Sequence, residues 1–249
     1  MKSFLLIGQS NMAGRGYYED MIEIKTARIF TLRNGRWYKF FRPINPDRDF
    51  AGVNLAESFA EKYAELHDTE VGLICCADGG TSLNQWAPGE VLFDNAVNCA
   101  RLAMRSSDLV GILWHQGEAD CSPNLAATYK ERFLTMITEM KRQLGKEDLP
   151  VIIGGLGDFL PKRSPGGALD NYAEVNRIFR EIANETDLIG FASAEGLGDR
   201  GDNLHFSSPA LYEFGLRYLD AFEKISTGTT ENSENRSTGE PKFTEMELL

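Results

Sequence analysis

The stretch SFLLIGQSNMAG, residues 3–14, changes from apolar to polar and glycine-rich after its first six residues. Residues 3–8, SFLLIG, form a short and nearly continuous apolar run, which is typical of a strand buried on both faces of a parallel sheet. Glycine and polar residues follow at once, as they do in the loops after the carboxyl ends of strands, where open α/β sheets bind ligands. This stretch therefore predicts an α/β fold whose functional residues follow the strands.

Apolar runs of the same kind alternate with amphipathic stretches along most of the chain. The further predicted strands are residues 70–77, 109–115, 150–156 and 188–193, and the predicted helices are residues 54–67, 92–104, 124–144, 171–184 and 211–225. Gly145 stands where a C-cap glycine would end the helix over residues 124–144. Because crossovers between parallel strands are right-handed, this order predicts a three-layer α/β/α sandwich around a five-stranded parallel sheet.

One segment departs from the alternation. Residues 27–41, ARIFTLRNGRWYKFF, alternate with period two around Asn34-Gly35, a pair of residues that favours a type I′ turn. We expect a small β-hairpin inserted here, on the rim of the sheet at the carboxyl ends of its strands.

The composition changes near residue 226. Residues 226–249 are rich in Ser, Thr, Glu and Asn and contain little that a core could bury, which is typical of a flexible tail. We therefore expect one domain over residues 1–225 and a polar C-terminal tail over residues 226–249. Phe243, Leu248 and Leu249 could anchor the tail on a neighbouring chain, so a homo-oligomer formed through the tail is an open alternative.

The charge balance and the cysteines exclude several classes of protein. The 249-residue chain has 37 acidic and 26 basic residues and a formal net charge of −11, which argues against binding to nucleic acid or to anionic membranes. The N-terminal apolar run is too short for a signal peptide, and no run approaches the roughly 18 residues of a transmembrane helix. The 4 cysteines show neither CxxC nor metal-ligand spacing, so we expect reduced thiols in a cytoplasmic protein.

The residues that follow the predicted strands include the elements of a serine hydrolase. Ser10 lies where the first strand turns into a helix, and serine needs a nearby general base to act as a nucleophile. Of the 3 histidines, His67 ends a predicted helix and is expected on the surface, whereas His115 follows a strand and could be close. His205 lies three residues after Asp202, a spacing at which one turn brings the carboxylate to Nδ1 and leaves Nε2 for Ser10.

The same loops offer hydrogen-bond donors for the oxyanion of a tetrahedral intermediate. The backbone N–H groups of Ser10 and Gly80 are suited to this role, because glycine at Gly79 and Gly80 permits unusual dihedral angles. The side-chain amide of Gln116, after the next strand, would complete the hole. Each feature alone has a simpler explanation, since strand-end serines are often N-caps and glycine pairs are often turns. Their joint occurrence in successive strand-end loops favours the enzyme.

Four segments resemble the four sequence blocks of the SGNH hydrolases: GQSNMAG (residues 8–14), DGGTSLNQW (78–86), WHQGEAD (114–120) and GDNLHFS (201–207). The resemblance extends over residues 3–222 and is greatest to the branch of sialate O-acetylesterases and the sixth carbohydrate-esterase family, which includes acetylxylan esterases. It implies a flavodoxin-like strand order of 2-1-3-4-5, with Ser10, Asp202 and His205 as the triad and no metal or other cofactor. It also implies Ser10, Gly80 and Gln116 as the oxyanion donors.

The resemblance further implies a serine esterase that removes acetyl groups from an acetylated carbohydrate, and it does not specify the sugar. One alternative is a small-acyl esterase, lipase or thioesterase acting on other substrates, although the chain has no long apolar lid between the blocks. A second alternative is a carbohydrate-binding protein with a degenerate site. That alternative predicts loss of Ser10, Asp202 or His205, and all three residues are present.

Further residues are candidates for supporting the site or contacting substrate. Glu118 is expected to be a buried carboxylate that accepts backbone N–H groups of the first block and holds the loops together, with a substrate contact as the alternative. Asn11 and Asp120 could act similarly. Trp86 and Trp37 could stack on a sugar face, the alternatives being a loop anchor for Trp86 and packing within the hairpin for Trp37.

Overall fold

Seven strands form one sheet at the centre of the computed structural model, which describes residues 1–226. The strands are β1 (Lys2–Gly8), β2 (Ile29–Arg33), β3 (Arg36–Lys39), β4 (Val71–Cys75), β5 (Asp108–His115), β6 (Val151–Gly154) and β7 (Ile189–Ala192). They lie in the order β3-β2-β4-β1-β5-β6-β7, and the five strands β4-β1-β5-β6-β7 pair in parallel. These five are the predicted core strands in the order 2-1-3-4-5, so the α/β fold class is confirmed.

The hairpin of β2 and β3 extends the sheet, and its predicted place on the rim is wrong. Asn34 and Gly35 have φ angles of 49° and 72°, as the predicted type I′ turn requires. However, β2 pairs in parallel with β4, with Ile29 opposite Val71. The hairpin thus provides hydrogen-bond partners for the side of β4 that faces away from β1, so that β4 is not the edge of the sheet. The sheet therefore has seven strands, two more than predicted.

Most helices agree with the predicted ones. Within residues 1–226 the α-helices are α1 (Ser10–Ala13), α2 (Ala56–Leu66), α3 (Val91–Ala103), α4 (Pro123–Ala127), α5 (Tyr129–Leu144), α6 (Tyr172–Glu185) and α7 (Ser208–Ser226). The prediction of a single helix over residues 124–144 is wrong. The helix is interrupted at Thr128, whose φ and ψ are −107° and 3°. The Thr128 hydroxyl bonds to Leu125 O and Arg132 Nε, and such local bonds compete with helical ones. Gly145 ends α5 in the left-handed conformation, as predicted.

The helices cover both faces of the sheet and complete the predicted three layers. Helices α2 and α7 pack together on one face, and α3, α5 and α6 pack on the other. On the first face, Phe4 of β1 packs edge-on against Phe59 of α2 and Phe222 of α7. On the second face, Trp114 of β5 packs against Phe133 of α5. The five parallel core strands between them are mostly buried, which explains their nearly continuous apolar sequences.

The predicted polar tail over residues 226–249 lies outside the described residues, apart from Ser226 at the end of α7. A homo-oligomer formed through the tail therefore stays a prediction. Between residues 1 and 226, no helix combines the length and the apolar character needed to cross a membrane.

Candidate active site

The carboxyl ends of β1, β4 and β5 bring three of the predicted loops together around Ser10. Strand β1 ends at Gly8, and the N–H of Gln9 then donates to His115 O at the end of β5. Gly8 has a φ of 133°, and a β-carbon there would lie 2.1 Å from His115 O, so the turn requires glycine. Ser10 begins α1 directly afterwards and is buried, with 6% of its surface exposed.

Ser10, His205 and Asp202 form a continuous hydrogen-bonded group, called the Ser-His-Asp array below. His205 Nε2 lies 3.1 Å from Ser10 Oγ, and His205 Nδ1 lies 2.7 Å from Asp202 Oδ2. Asp202 Oδ1 accepts the backbone N–H groups of Leu204 and His205, at 2.9 and 2.8 Å. The short spacing therefore folds as a turn that aims the carboxylate at the imidazole. In the tautomer with Nδ1 protonated, Nε2 is left to accept the serine proton.

Burial and hydrogen bonding set the charges of the array. Burial opposes ionisation of Asp202, but hydrogen bonds from His205 and from Arg200 Nε, 2.8 Å away, hold the pKa of this carboxyl well below its ordinary value. For His205 burial is the larger effect, and it lowers the pKa of the imidazole below 6.5 against the opposing influence of Asp202. At neutral pH the array therefore contains a neutral imidazole and an ionised carboxylate, as general-base catalysis requires.

The other two histidines lie away from Ser10. His115 is fully buried, with Nδ1 3.3 Å from Tyr218 Oη and its ring edge-on to Phe206. His67 lies on the surface at the end of α2, with Nε2 2.8 Å from Glu223 Oε1. The structure therefore brings His205, and neither of these two, to the serine.

Asn11 and Glu118 connect three of the loops beside the array. Asn11 Nδ2 donates to Glu118 Oε1 over 2.6 Å and to Leu204 O over 3.2 Å, and Asn11 Oδ1 accepts the N–H of Phe206. The prediction that Glu118 accepts backbone N–H groups of the first block is wrong, because the Asn11 side chain takes that place. Burial opposes ionisation of Glu118, but His115 Nε2, 3.4 Å from Oε1, and Asn11 hold its pKa below the ordinary value.

The Gly79-Gly80 turn follows β4 and lies against Ser10. A β-carbon on Gly79 would lie 2.4 Å from Arg15 Nη2 and 3.5 Å from the Ser10 Cβ, so the first position has no room for a side chain. Gly80 has a φ of +80°, and a β-carbon there would meet no atom within 4 Å. The N–H of Gly79 donates to Asp47 Oδ2 over 2.9 Å. In the described part of the chain, the N–H groups of Ser10 and Gly80 have no protein acceptor.

Gln116, predicted as an oxyanion donor, has its side-chain amide bonded within the protein. Its side chain is fully buried, and Nε2 donates to Asp120 Oδ2 over 2.6 Å and to Thr81 O over 3.2 Å. Its Oε1 accepts the hydroxyl of Tyr129 over 2.8 Å. Because both amide hydrogens have protein acceptors, Gln116 in this structure ties the loop after β5 to the loop after β4. Asp120, which was expected to support the loops, is one of its partners.

The two tryptophans considered for stacking on a sugar both pack against the protein. Trp86 is fully buried, donates Nε1 to Thr81 Oγ1 and packs edge-on against Trp114. Trp37 covers the backbone of Gly72 in β4, where a β-carbon would lie 2.6 Å from its ring. Both positions agree with the structural alternatives, a loop anchor for Trp86 and hairpin packing for Trp37.

Sequence reasoning missed two arginines and two aromatic rings around the array. Arg200, which donates to Asp202, also donates Nη1 to Arg15 O over 2.7 Å, and its guanidinium lies 5.0 Å from the centre of the Tyr17 ring. The Arg15 guanidinium lies 5.2 Å from the centre of the Phe50 ring. Tyr17 and Phe50 are 49% and 64% exposed. The sequence marks the two arginines only by their positions, because Arg15 directly follows the first block and Arg200 directly precedes the fourth.

The strand order, with the serine loop after β1 and the Asp-x-x-His turn before α7, defines a hydrolase with the SGNH fold. Comparison with known families agrees with this class. The chain belongs to the family described as carbohydrate esterase, sialic acid-specific acetylesterase, which it matches over residues 1–224.

Individual relatives support the same assignment. A probable carbohydrate esterase of Arabidopsis thaliana is 26% identical over 242 residues, which cover 88% of this chain and 89% of that protein. A solved structure of an Arabidopsis thaliana protein has a TM-score of 0.79 and 25% identity, covering 90% of this chain and 98% of that one. NanS has a TM-score of 0.76 and 17% identity, covering 91% and 97%. A carbohydrate acetylesterase from Xanthomonas citri has a TM-score of 0.68 and 18% identity, covering 91% and 56%. The last two are likenesses of fold.

Proposed function

We propose that this protein is a serine esterase that removes O-acetyl groups from carbohydrate through an acyl-enzyme intermediate. The observation that carries the proposal is the Ser-His-Asp array, in which a neutral His205 lies 3.1 Å from Ser10 Oγ and is oriented by an ionised Asp202. Among the described residues, the N–H of Ser10 itself and that of Gly80 in the adjacent turn have no protein acceptor. Membership of a carbohydrate esterase family supports the class of substrate.

In the first half-reaction, Ser10 Oγ attacks the acetyl carbonyl carbon while His205 Nε2 takes the serine proton. The carbonyl oxygen becomes negatively charged, and the N–H groups of Ser10 and Gly80 stabilise it. Asp202 stays ionised and stabilises the imidazolium that forms. When the carbonyl re-forms, the bond to the sugar oxygen breaks, and His205 donates its proton to that oxygen.

In the second half-reaction, water replaces the sugar. His205 Nε2 takes a proton from the water as its oxygen attacks the acetyl-Ser10 carbonyl, and the same two N–H groups hold the second oxyanion. Collapse of this intermediate releases acetate, and the proton on His205 returns to Ser10 Oγ. The array therefore serves both half-reactions without any change of partner.

The exposed rings of Tyr17 and Phe50 are our candidates for the surface that binds the sugar. Each ring lies on an arginine that contacts the array or the Gly79-Gly80 turn, and flat aromatic faces pack well against the apolar face of a sugar. An O-acetylated sialic acid is the first candidate substrate, because the family is described as sialic acid-specific. Acetylated xylan and simple acetyl sugars are the comparison substrates, and release of acetate from this panel ranks them.

The test of the mechanism is Ser10→Ala. We expect a loss of several orders of magnitude in acetate release with normal folding, as is usual when a triad member is removed. Ser106→Ala is the matched control, because Ser106 is exposed and bonds to Trp37 beside the hairpin. Activity of Ser10→Ala above about a tenth of wild type would contradict the nucleophile assignment.

A chain-length series of p-nitrophenyl esters tests the acyl specificity separately. Strong preference for acetate over octanoate supports an acetylesterase. Equal or better hydrolysis of octanoate would favour the lipase or thioesterase alternative.

A further inference from the structure

Residues 45–48, NPDR, lie in the connection between β3 and α2 and contact the Gly79-Gly80 turn from outside the four sequence blocks. We propose that Asp47, held by Arg15, is a positioning residue for the oxyanion hole. It takes the N–H of Gly79 and so leaves the N–H of Gly80 to face the substrate. This inference rests on the proposed function, because it concerns the same reaction.

Asp47 and Arg15 form a bidentate ion pair that is almost sealed from solvent. Arg15 Nη1 lies 2.9 Å from Asp47 Oδ1, and Nη2 lies 2.6 Å from Oδ2, with the two side chains 2% and 3% exposed. Arg15 Nη1 also donates to Gly14 O, at the end of the serine loop. A bidentate pair sets the orientation of the carboxylate as well as its position. The acceptor offered to the turn is therefore rigidly placed.

The carboxylate and its neighbours hold the backbone that leads into the turn. The oxygen of Asp47 that pairs with Arg15 Nη2 also accepts the N–H of Gly79 over 2.9 Å. Two residues earlier, the Asn45 side chain exchanges hydrogen bonds of 3.0 and 3.1 Å with the backbone of Ala77. On the other side, Arg48 Nη2 donates to Gly79 O over 2.9 Å. Both the N–H and the C=O of Gly79 are thus held.

Holding Gly79 on both sides decides where the next N–H points. The C=O of Gly79 and the N–H of Gly80 belong to the same rigid peptide plane, so the bond from Arg48 to Gly79 O directs the Gly80 N–H the opposite way. An oxyanion donor must be aimed before the reaction, since a turn that reorients in the transition state loses part of its stabilisation. Loss of one such donor lowers kcat by about 10²–10³, so partial misalignment costs part of that factor.

Arg15 also reaches the opposite side of the array, which affects how the proposal is tested. Arg200 Nη1 donates to Arg15 O over 2.7 Å, and Arg200 Nε donates to Asp202 over 2.8 Å. The contact with Arg200 uses the backbone oxygen of residue 15, so a shift of this residue reaches the triad acid as well as the turn. The two variants that are compared therefore carry the same substitution at residue 15 and differ only at residue 47.

The test compares two double variants, Arg15→Met/Asp47→Asn and Arg15→Met/Asp47→Leu. Both remove the two buried charges together, which avoids leaving one charge buried and unpaired. Asparagine and leucine are similar in size, but only the asparagine amide oxygen can accept the Gly79 N–H. The substrate is p-nitrophenyl acetate, which needs no sugar-binding surface. Burst kinetics, kcat, KM, the pH profile and Tm are measured on the same preparations.

We expect kcat of the asparagine variant to exceed that of the leucine variant by about tenfold or more. This ratio is smaller than the loss of about 10²–10³ in kcat caused by removing an oxyanion donor, because the Gly80 N–H is misaligned and not removed. KM should differ by less than about threefold, and the pH limb should coincide, because His205 and Asp202 are unchanged in both. Phe222→Leu, a core variant distant from the turn, is the control for lowered Tm with normal kcat. Equal kcat in the two double variants overturns the proposal.

Amide hydrogen exchange of the wild-type protein provides a second measurement that needs no variant. We expect the Gly79 N–H to be protected and the Gly80 N–H to exchange fast, and the reverse pattern overturns the proposal. Wild type and Ser10→Ala in the same kinetic assay separate this inference from the proposed function. If wild type is active, Ser10→Ala is inactive and the double variants are equal, only the positioning role of Asp47 fails. If wild type is inactive, the proposed function fails.

Discussion

Gln116→Ala should lower the stability of the protein and leave kcat of the folded enzyme close to wild type. The Gln116 side chain is fully buried and bonds to the Asp120 carboxylate, to Thr81 O and to the Tyr129 hydroxyl. None of these partners belongs to the Ser-His-Asp array. A structural role therefore predicts a large change in Tm, whereas an oxyanion role predicts a large change in kcat.

The size of the effect follows from these contacts. The bond to the carboxylate contributes about 1.5–3 kcal/mol, and each of the two neutral bonds contributes about 0.5–1.5 kcal/mol. Asp120 keeps the N–H of Leu83 and the guanidinium of Arg132, and Tyr129 keeps the backbone oxygen of Gln116 as a partner. We therefore expect a loss of about 3–5 kcal/mol, within the sum of these terms. At about 2–4 °C per kcal/mol for a chain of this size, Tm should fall by about 6–20 °C.

Thermal unfolding and kcat for p-nitrophenyl acetate are measured on the same preparations, with kinetics at a temperature where the variant is folded. Gln116→Glu should unfold at a still lower temperature, because a second carboxylate would lie against Asp120 in a fully buried position. Ser10→Ala should show the opposite pattern, with normal Tm and no activity. The reasoning is refuted if Gln116→Ala keeps its Tm while kcat falls by about 10²–10³, the effect of losing an oxyanion donor.

Three further predictions concern pH and metal. The acid limb of kcat/KM should have its midpoint below pH 6.5, because burial lowers the pKa of His205, which must be neutral to act; His67→Ala should leave the limb unchanged, and a midpoint above 6.5 contradicts the assignment. Full activity should survive exhaustive chelation, because a Ser-His-Asp mechanism uses no metal. A loss of activity that is reversed by adding a divalent ion would contradict this mechanism. Burial, partly offset by Arg42, raises the pKa of Glu57 from 4.5 to about 7, so the folded state retains a proton that the unfolded state loses. The free energy of unfolding should therefore fall as pH rises from about 4.5 to about 7, and Glu57→Gln should reduce the accompanying fall in Tm. Identical Tm profiles for the wild type and this variant would exclude the role of Glu57.

The fold was predictable because its signals are local. The apolar run before Gly8 and the Asn34-Gly35 turn each depend on residues adjacent in sequence, and both form as expected. The errors fall where a distant contact or a single residue decides. The local pattern does not place the hairpin in the sheet, because its pairing with β4 joins residues far apart in sequence, such as Ile29 and Val71. Apolar periodicity predicts one helix over residues 124–144, because it carries no information on the local hydrogen bonds of Thr128 that interrupt the helix.

In the site, the sequence determined which residues lie at the strand ends, and through its three-residue spacing it determined the turn that joins Asp202 to His205. Tertiary structure decided the partners of the polar side chains. Gln116 was predicted to face the oxyanion, and only the packed loops show that Asp120 and Thr81 occupy its amide hydrogens. The physical reason is that strand ends and turns follow from local periodicity and backbone preference. Burial and hydrogen-bond partners depend on residues that folding brings together, as when Asp47 meets Gly79 across 32 positions of the chain.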